Sequence, residues 1–94
     1  MARTIQLTDR VVRTPGHLAE EIDGQIVLLS IEAGNYYGLD EIGSEIWRLA
    51  EKETPVVELC DIFAVNYDAP METVQRDVLA FLNHLLQHKL ISAR

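Results

Sequence analysis

The chain has 94 residues, fifteen of them acidic and eight Lys or Arg, for a formal charge of −7. Nearly half are apolar, which predicts one small domain over residues 1–94 with a single core rather than a disordered chain. The charge excludes a basic nucleic-acid-binding face, the lone Cys60 excludes an internal disulfide and suits a reducing cytoplasm, and no apolar run is long enough to span a membrane.

Residues 1–16 read as loose or extended, with Val11-Val12 able to add a short strand and Pro15-Gly16 marking a turn. Leu18–Ile22 reads as an edge strand whose outer faces are polar, Glu20 and Glu21 included. Asp23-Gly24 is a two-residue hairpin turn, since both positions tolerate positive φ. Gln25–Ile31 is apolar on both faces, the pattern of a buried central strand. Glu32-Ala33-Gly34-Asn35 makes the next turn, and Tyr36–Leu39 the third strand of an antiparallel meander.

At Asp40 the apolar period changes. Ile42, Ile46 and Leu49 fall at helical spacing, and Asp40 sits where an N-cap belongs. A strand therefore runs directly into a helix ending near Ala50. Thr54-Pro55 opens a second helix, with Thr54 as cap and Val56, Leu59, Cys60 and Phe63 on one side. Residues 66–69 break it, Pro70 opens a third helix reaching about His88, and Leu90-Ile91 folds back onto the core. Sheet first and helices after is an α+β order: a three-stranded antiparallel sheet followed by three helices, like a winged helix-turn-helix.

On the third helix Val74, Val78, Phe81 and Leu85 form one line, with Leu79, Leu82 and Leu86 on one flank and Asp77, His84 and His88 on the other. The apolar arc covers about half the circumference, wider than the ~100° of a one-sided helix. Either the helix is buried on two sides or one side is open to a partner.

No catalytic constellation emerges. His84 and His88 are spaced to grip one metal ion, but Asp77 stands seven residues earlier, about 10 Å along the axis, and cannot be its third ligand. Cys60 lies on an apolar helix face as a small hydrophobe. The glycines precede no Lys-Ser/Thr pair and form no phosphate loop. No pattern calls for a cofactor. Tyr36 and Tyr37 point to opposite sides of their strand, which suits one core and one surface residue or a binding edge alike. Gly38 inside the strand marks a place where another backbone approaches.

Tyr36-Tyr37-Gly38-Leu39-Asp40, Gly43, Ile46-Trp47 and Leu49, in that order, resemble the signature of the PqqD-like family. Asp23-Gly24, Val27–Leu29, Thr54, Val57–Leu59, Val74, Asp77-Val78, Phe81-Leu82, Leu85 and Leu90-Ile91 extend the likeness over nearly the whole chain. The family consists of small RiPP recognition elements that bind leader peptides of ribosomally made, modified peptides. The resemblance implies a three-stranded sheet followed by three helices, no catalysis, and a leader added as a strand beside strand three, its side chains resting on helix three. Carried over, the edge is Tyr36, Tyr37, Gly38 and Leu39, and the helix contacts are Val74, Asp77, Val78 and Phe81, with the Leu79 and Leu86 flank as the alternative. It implies the discrete leader-binding protein of lasso peptide clusters, presenting the precursor to a separate leader peptidase and a cyclase in the cytoplasm. The alternatives are the pyrroloquinoline quinone pathway, where the precursor passes to a radical enzyme, and a winged-helix DNA-binding regulator. Against the regulator, the third helix sets Arg76 and Lys89 against Glu72 and Asp77.

Overall fold

The computed structural model describes residues 4–31 and 34–94. Its elements are β1 (Arg10–Arg13), β2 (His17–Ile22), β3 (Gln25–Ser30), β4 (Asn35–Gly38), α1 (Glu41–Leu49), β5 (Thr54–Pro55), α2 (Val56–Tyr67), α3 (Met71–Gln87) and β6 (Ile91–Ala93). The predicted meander is present as the antiparallel sheet β2-β3-β4, and three helices follow it. This is the predicted α+β fold; the winged helix-turn-helix likeness is loose and extends only to the small sheet and three helices.

The turn between β2 and β3 forms as the sequence predicts, with Asp23 at φ 52° and Gly24 at φ 81°. The turn predicted over residues 32–35 includes Glu32 and Ala33, which lie outside the described residues. β3 is the central strand, but only one of its faces is buried. Ile26, Leu28 and Ser30 point into the core, while Val27 and Leu29 stay half-buried. An antiparallel sheet needs only one face covered, so a continuous apolar run does not guarantee two-sided burial. Register corrects β2 as well. Glu20 lies opposite Val27 on the outer face, whereas Glu21, opposite Ile26, faces the helices and ion-pairs with Arg48 of α1. The outer face is thus not polar throughout, since Leu18 and Ile22 share it with Glu20 and are exposed.

A second small sheet has the order β5-β1-β6. The Val11-Val12 strand and the return of Leu90-Ile91 were both expected, and they pair with one another: Val11 opposite Ala93, Arg13 opposite Ile91. Thr54-Pro55 corrects the expected start of the second helix. These residues pair with Val11 and Arg10 as β5; Pro55 is the N-cap of α2, and Val56 is its first helical residue. The Thr54 hydroxyl donates to the Leu49 and Lys52 carbonyls rather than capping α2.

Trp47 joins the two sheets. It is buried in α1, meets the His17 ring edge-on at 6.5 Å, and carries the Arg13 guanidinium 4.9 Å above its own ring. The Arg13 Nε–H also donates to the Trp47 carbonyl at 2.7 Å. Around it Leu28, Ile46, Leu59, Leu82, Leu85 and Ile91 form a core drawn from both sheets and all three helices.

The strand-to-helix junction is fixed twice. Asp40 caps α1 as predicted, its carboxylate accepting from the Gly43 N–H at 2.7 Å. Ser44, fully buried, accepts from the Ile26 N–H at 2.8 Å and donates to the Leu39 carbonyl at 3.2 Å. Its hydroxyl occupies the place of the next ladder bond between β3 and the end of β4. Ser44→Ala strands one donor and one acceptor in the core. It is expected to cost about 2 kcal/mol, read by circular dichroism as a melting temperature lower by roughly 10 °C. An unchanged melt would show that these groups find other partners.

Candidate peptide-binding groove

β4 is an edge strand, and the ladder determines which of its groups are free. Leu39 N–H bonds to the Ile26 carbonyl at 2.8 Å. In an antiparallel ladder alternate pairs are hydrogen-bonded, so the next bonded pairs are Leu28 with Tyr37 and Ser30 with Asn35. The N–H and C=O groups of Tyr36 and Gly38 therefore point outward. Those of Leu39 are already bonded, to Ile26 and Ser44, and its side chain is buried. Of the four predicted edge residues, two present backbone groups. The third, Tyr37, presents a half-buried ring to the α3 side, 5.1 Å from His88. Tyr36 lies on the opposite face, 73 % exposed, so the tyrosine pair divides between the helix side and the outer surface.

α3 lies across this edge. Between them runs a groove of about 410 Å³, lined by Tyr36–Asp40 on one side and Phe81, His84, Leu85 and Leu90 on the other. A second, strongly apolar pocket of about 320 Å³ opens beside it. Val74, Asp77, Val78 and Phe81 all line that pocket, so the predicted helix residues do come together. Phe81 and Asp40 belong to both spaces, and the Phe81 ring divides them. Gly43 sets the ring's position: a Cβ there would fall 2.7 Å from the Phe81 Cζ. Any larger residue at position 43 would force the ring to shift.

The site also uses side chains that the sequence did not assign to it. Ile42, one of the apolar residues at helical spacing in α1, is 42 % exposed and forms one wall. Phe63 and Tyr67 stack at 5.9 Å to form another. The signal for Tyr67 was an aromatic residue in the last turn of α2, just before the left-handed cap at Asp68. His84, Leu85 and Leu90 line the β4 side.

The Leu79 and Leu86 flank of α3 is occupied by the chain itself. The Ile5 N–H donates to Asn83 Oδ1 at 2.7 Å, Asn83 donates to the Leu79 carbonyl, and Ile5 is buried. The wide apolar arc is thus covered by the N-terminal segment on one flank and borders the groove on the other.

Cys60 is buried among core residues as expected, and its surroundings push the thiol up from its ordinary value, mainly through burial and secondarily through the charge of Asp61. That is the opposite of the activation a nucleophilic thiolate needs. His84 and His88 touch ring to ring at 4.7 Å. Among the described residues no group of three His, Cys, Asp or Glu stands together in a metal-binding arrangement, and no helix is long and apolar enough to cross a membrane.

The family model described as Coenzyme PQQ synthesis protein D (PqqD) matches residues 25–91. No curated protein matches the chain. Among solved structures, TbiB1 in complex with the TbiA(beta) leader peptide is 33 % identical, with a TM-score of 0.80, over 86 % of this chain and 94 % of that one. A lasso peptide synthetase B1 complexed with the leader peptide shares 19 % identity at a TM-score of 0.75, over 87 % of this chain and 96 % of that one. The PqqD truncation of Methylobacterium extorquens PqqCD, a stand-alone RiPP recognition element solved by NMR, shares 20 % identity at a TM-score of 0.78, over 97 % and 96 %. The last two establish likeness of fold. With a family match spanning most of its length and 33 % identity to TbiB1 over 86 % of the chain, the chain belongs to the PqqD family.

Proposed function

We propose that this protein is a non-catalytic recognition element that binds the leader of a ribosomally made precursor by strand addition. The observation that carries the reading is the open β4 edge, with the Tyr36 and Gly38 backbone groups free, facing a groove and an apolar pocket on α3. Main-chain bonds along such an edge supply affinity, and pockets for alternate side chains supply selectivity. The leader runs along Tyr36–Gly38, and an apolar side chain enters the pocket walled by Phe81, Val78 and Ile42. The TbiB1 complex with a leader peptide supports this, and the lasso peptide synthetase B1 complex favours a lasso precursor. In that role the protein presents the precursor, in the cytoplasm, to a separate leader peptidase and cyclase. The family model's description favours one second reading, presentation of a precursor to a radical enzyme in coenzyme PQQ synthesis.

The test is a titration of the purified protein with the fluorescent synthetic leader of the short precursor gene nearest to its own, against a scrambled peptide. Saturable binding in the micromolar range or tighter is expected, with amide shifts concentrated at Tyr36, Gly38 and Phe81 and no cleavage of the peptide. Absent binding, or shifts clustered away from β4 and α3, would overturn the proposal. Turnover of the peptide by this chain alone would overturn its non-catalytic part.

A further inference from the structure

The groove has unlike ends. Asp40 and Asp77 border one. At the other, where β4 begins and α3 stops, stand all three histidines of the chain and Lys89. His84 lines the groove itself. The His88 ring lies 4.7 Å from that of His84 and 5.1 Å from that of Tyr37. His88 continues into an open pocket of about 680 Å³ that it shares with Thr14, His17, Ser30 and Lys89.

Lys89 is an unexpected residue at its position. α3 ends in a Schellman turn, with Leu90 N–H bonding to the Leu85 carbonyl and Lys89 N–H to the Leu86 carbonyl, and Lys89 holds the left-handed site at φ 60°. Glycine is the favoured residue there, and a side chain at that φ is strained. Neighbours hold the strained residue in place. The Thr14 hydroxyl donates to the Lys89 carbonyl at 2.7 Å, which leaves Thr14 Oγ1 to accept from His17 Nε2–H at 2.9 Å. Thr14 N–H bonds to the Leu90 carbonyl. Strain retained at a fixed point of a site argues that its side chain is used. Among the described residues Arg48, Arg76 and Arg94 each reach a carboxylate, whereas Lys89 reaches none.

We propose that His84, His88 and Lys89 form a subsite for a carboxylate side chain of the bound peptide, so that the groove selects an acidic residue at its α3 C-terminal end. The inference rests on the leader-binding reading and adds a charge requirement to it. Among the described residues the titratable groups facing the subsite are His17 from β2 and Tyr36 and Tyr37 from β4; Asp40 is at the far end of the groove. A carboxylate placed there meets the Lys89 ammonium and imidazole N–H donors. An exposed pairing of this kind weakens with salt.

The probe is the same fluorescent leader, with each Asp and Glu replaced in turn by Asn and Gln. One replacement is expected to lower affinity about tenfold on the wild-type protein and to have little effect on Lys89→Gly or His88→Asn, a coupling that a double-mutant cycle isolates. Lys89→Gly is expected to raise the melting temperature while weakening the acidic leader, which separates lost recognition from lost folding. Additive cycles at every carboxylate, or a bound stretch with no Asp or Glu, would overturn the subsite while leaving strand addition intact. Failure of the wild type to bind any leader would instead overturn the leader-binding reading.

Discussion

Phe81→Asp is expected to leave the protein folded and to remove leader binding, whereas Val78→Asp is expected to unfold it. The two residues lie on one line of α3, but at different depths. Val78 is 4 % exposed and part of the core, reaching the pocket only by one side. A carboxylate there has no partner and no water, and substitutions of this kind cost on the order of 4–5 kcal/mol. A domain of this size holds only about 0.05–0.15 kcal/mol of stability per residue, so that loss takes from about a third to nearly all of it. Phe81 packs against the core from its margin and borders both the groove and the pocket. An Asp there stays hydrated, but the wall between the two spaces is lost and a charge faces the apolar side chain of the leader. Circular dichroism and leader titration on the same samples separate the effects, with Glu20→Ala on the outer sheet face as control. A folded Phe81→Asp protein that binds at wild-type strength would move the site off this flank of α3.

How far these features were legible in the sequence follows from the range of the forces that make them. Asp23-Gly24 and Asp40 announce themselves because their effects are local: a positive φ, or a carboxylate bonded to an N–H three residues on. The buried stripe of α2 was legible for the same reason, since a 3.6-residue period needs no partner to be seen. The second sheet was only half visible. β5 has two residues, one a proline lacking an N–H, and it exists because Arg10 and Val11 lie opposite it more than 40 positions away in sequence. Ser44 stands out in no local pattern, because nothing in α1 shows that its hydroxyl bridges Ile26 and Leu39. The site was legible as a set of residues and not as a surface. Periodicity put Val78 and Phe81 on one line without their depths, and it could not show that Ile5 would cover the Leu79 flank. The phase of the edge was hidden too, because alternation of side chains does not reveal which N–H groups the ladder leaves free.

That phase yields the last prediction. If the leader pairs with β4, it bonds to the outward groups of Tyr36 and Gly38 and to no backbone group of Tyr37 or Leu39. Gly38→Pro is then expected to abolish binding while sparing the β3–β4 ladder, because the N–H it removes points away from β3 and proline is tolerated at such an edge position. The ring also stands where the leader backbone would approach. A Cβ on Gly38 would meet no other atom within 4 Å, so that part of the ring clashes with nothing on the sheet face. The reciprocal experiment changes the peptide. Methylating the leader's backbone nitrogens one at a time removes one donor each, and only those facing β4 matter. Affinity is expected to fall at least tenfold at every second position across the bound stretch and to change little between. Amide shifts or a melt on Gly38→Pro confirm that it is folded. A methylation scan with no two-residue alternation, together with a folded Gly38→Pro protein that still binds, would show that the leader lies across α3 without joining the sheet.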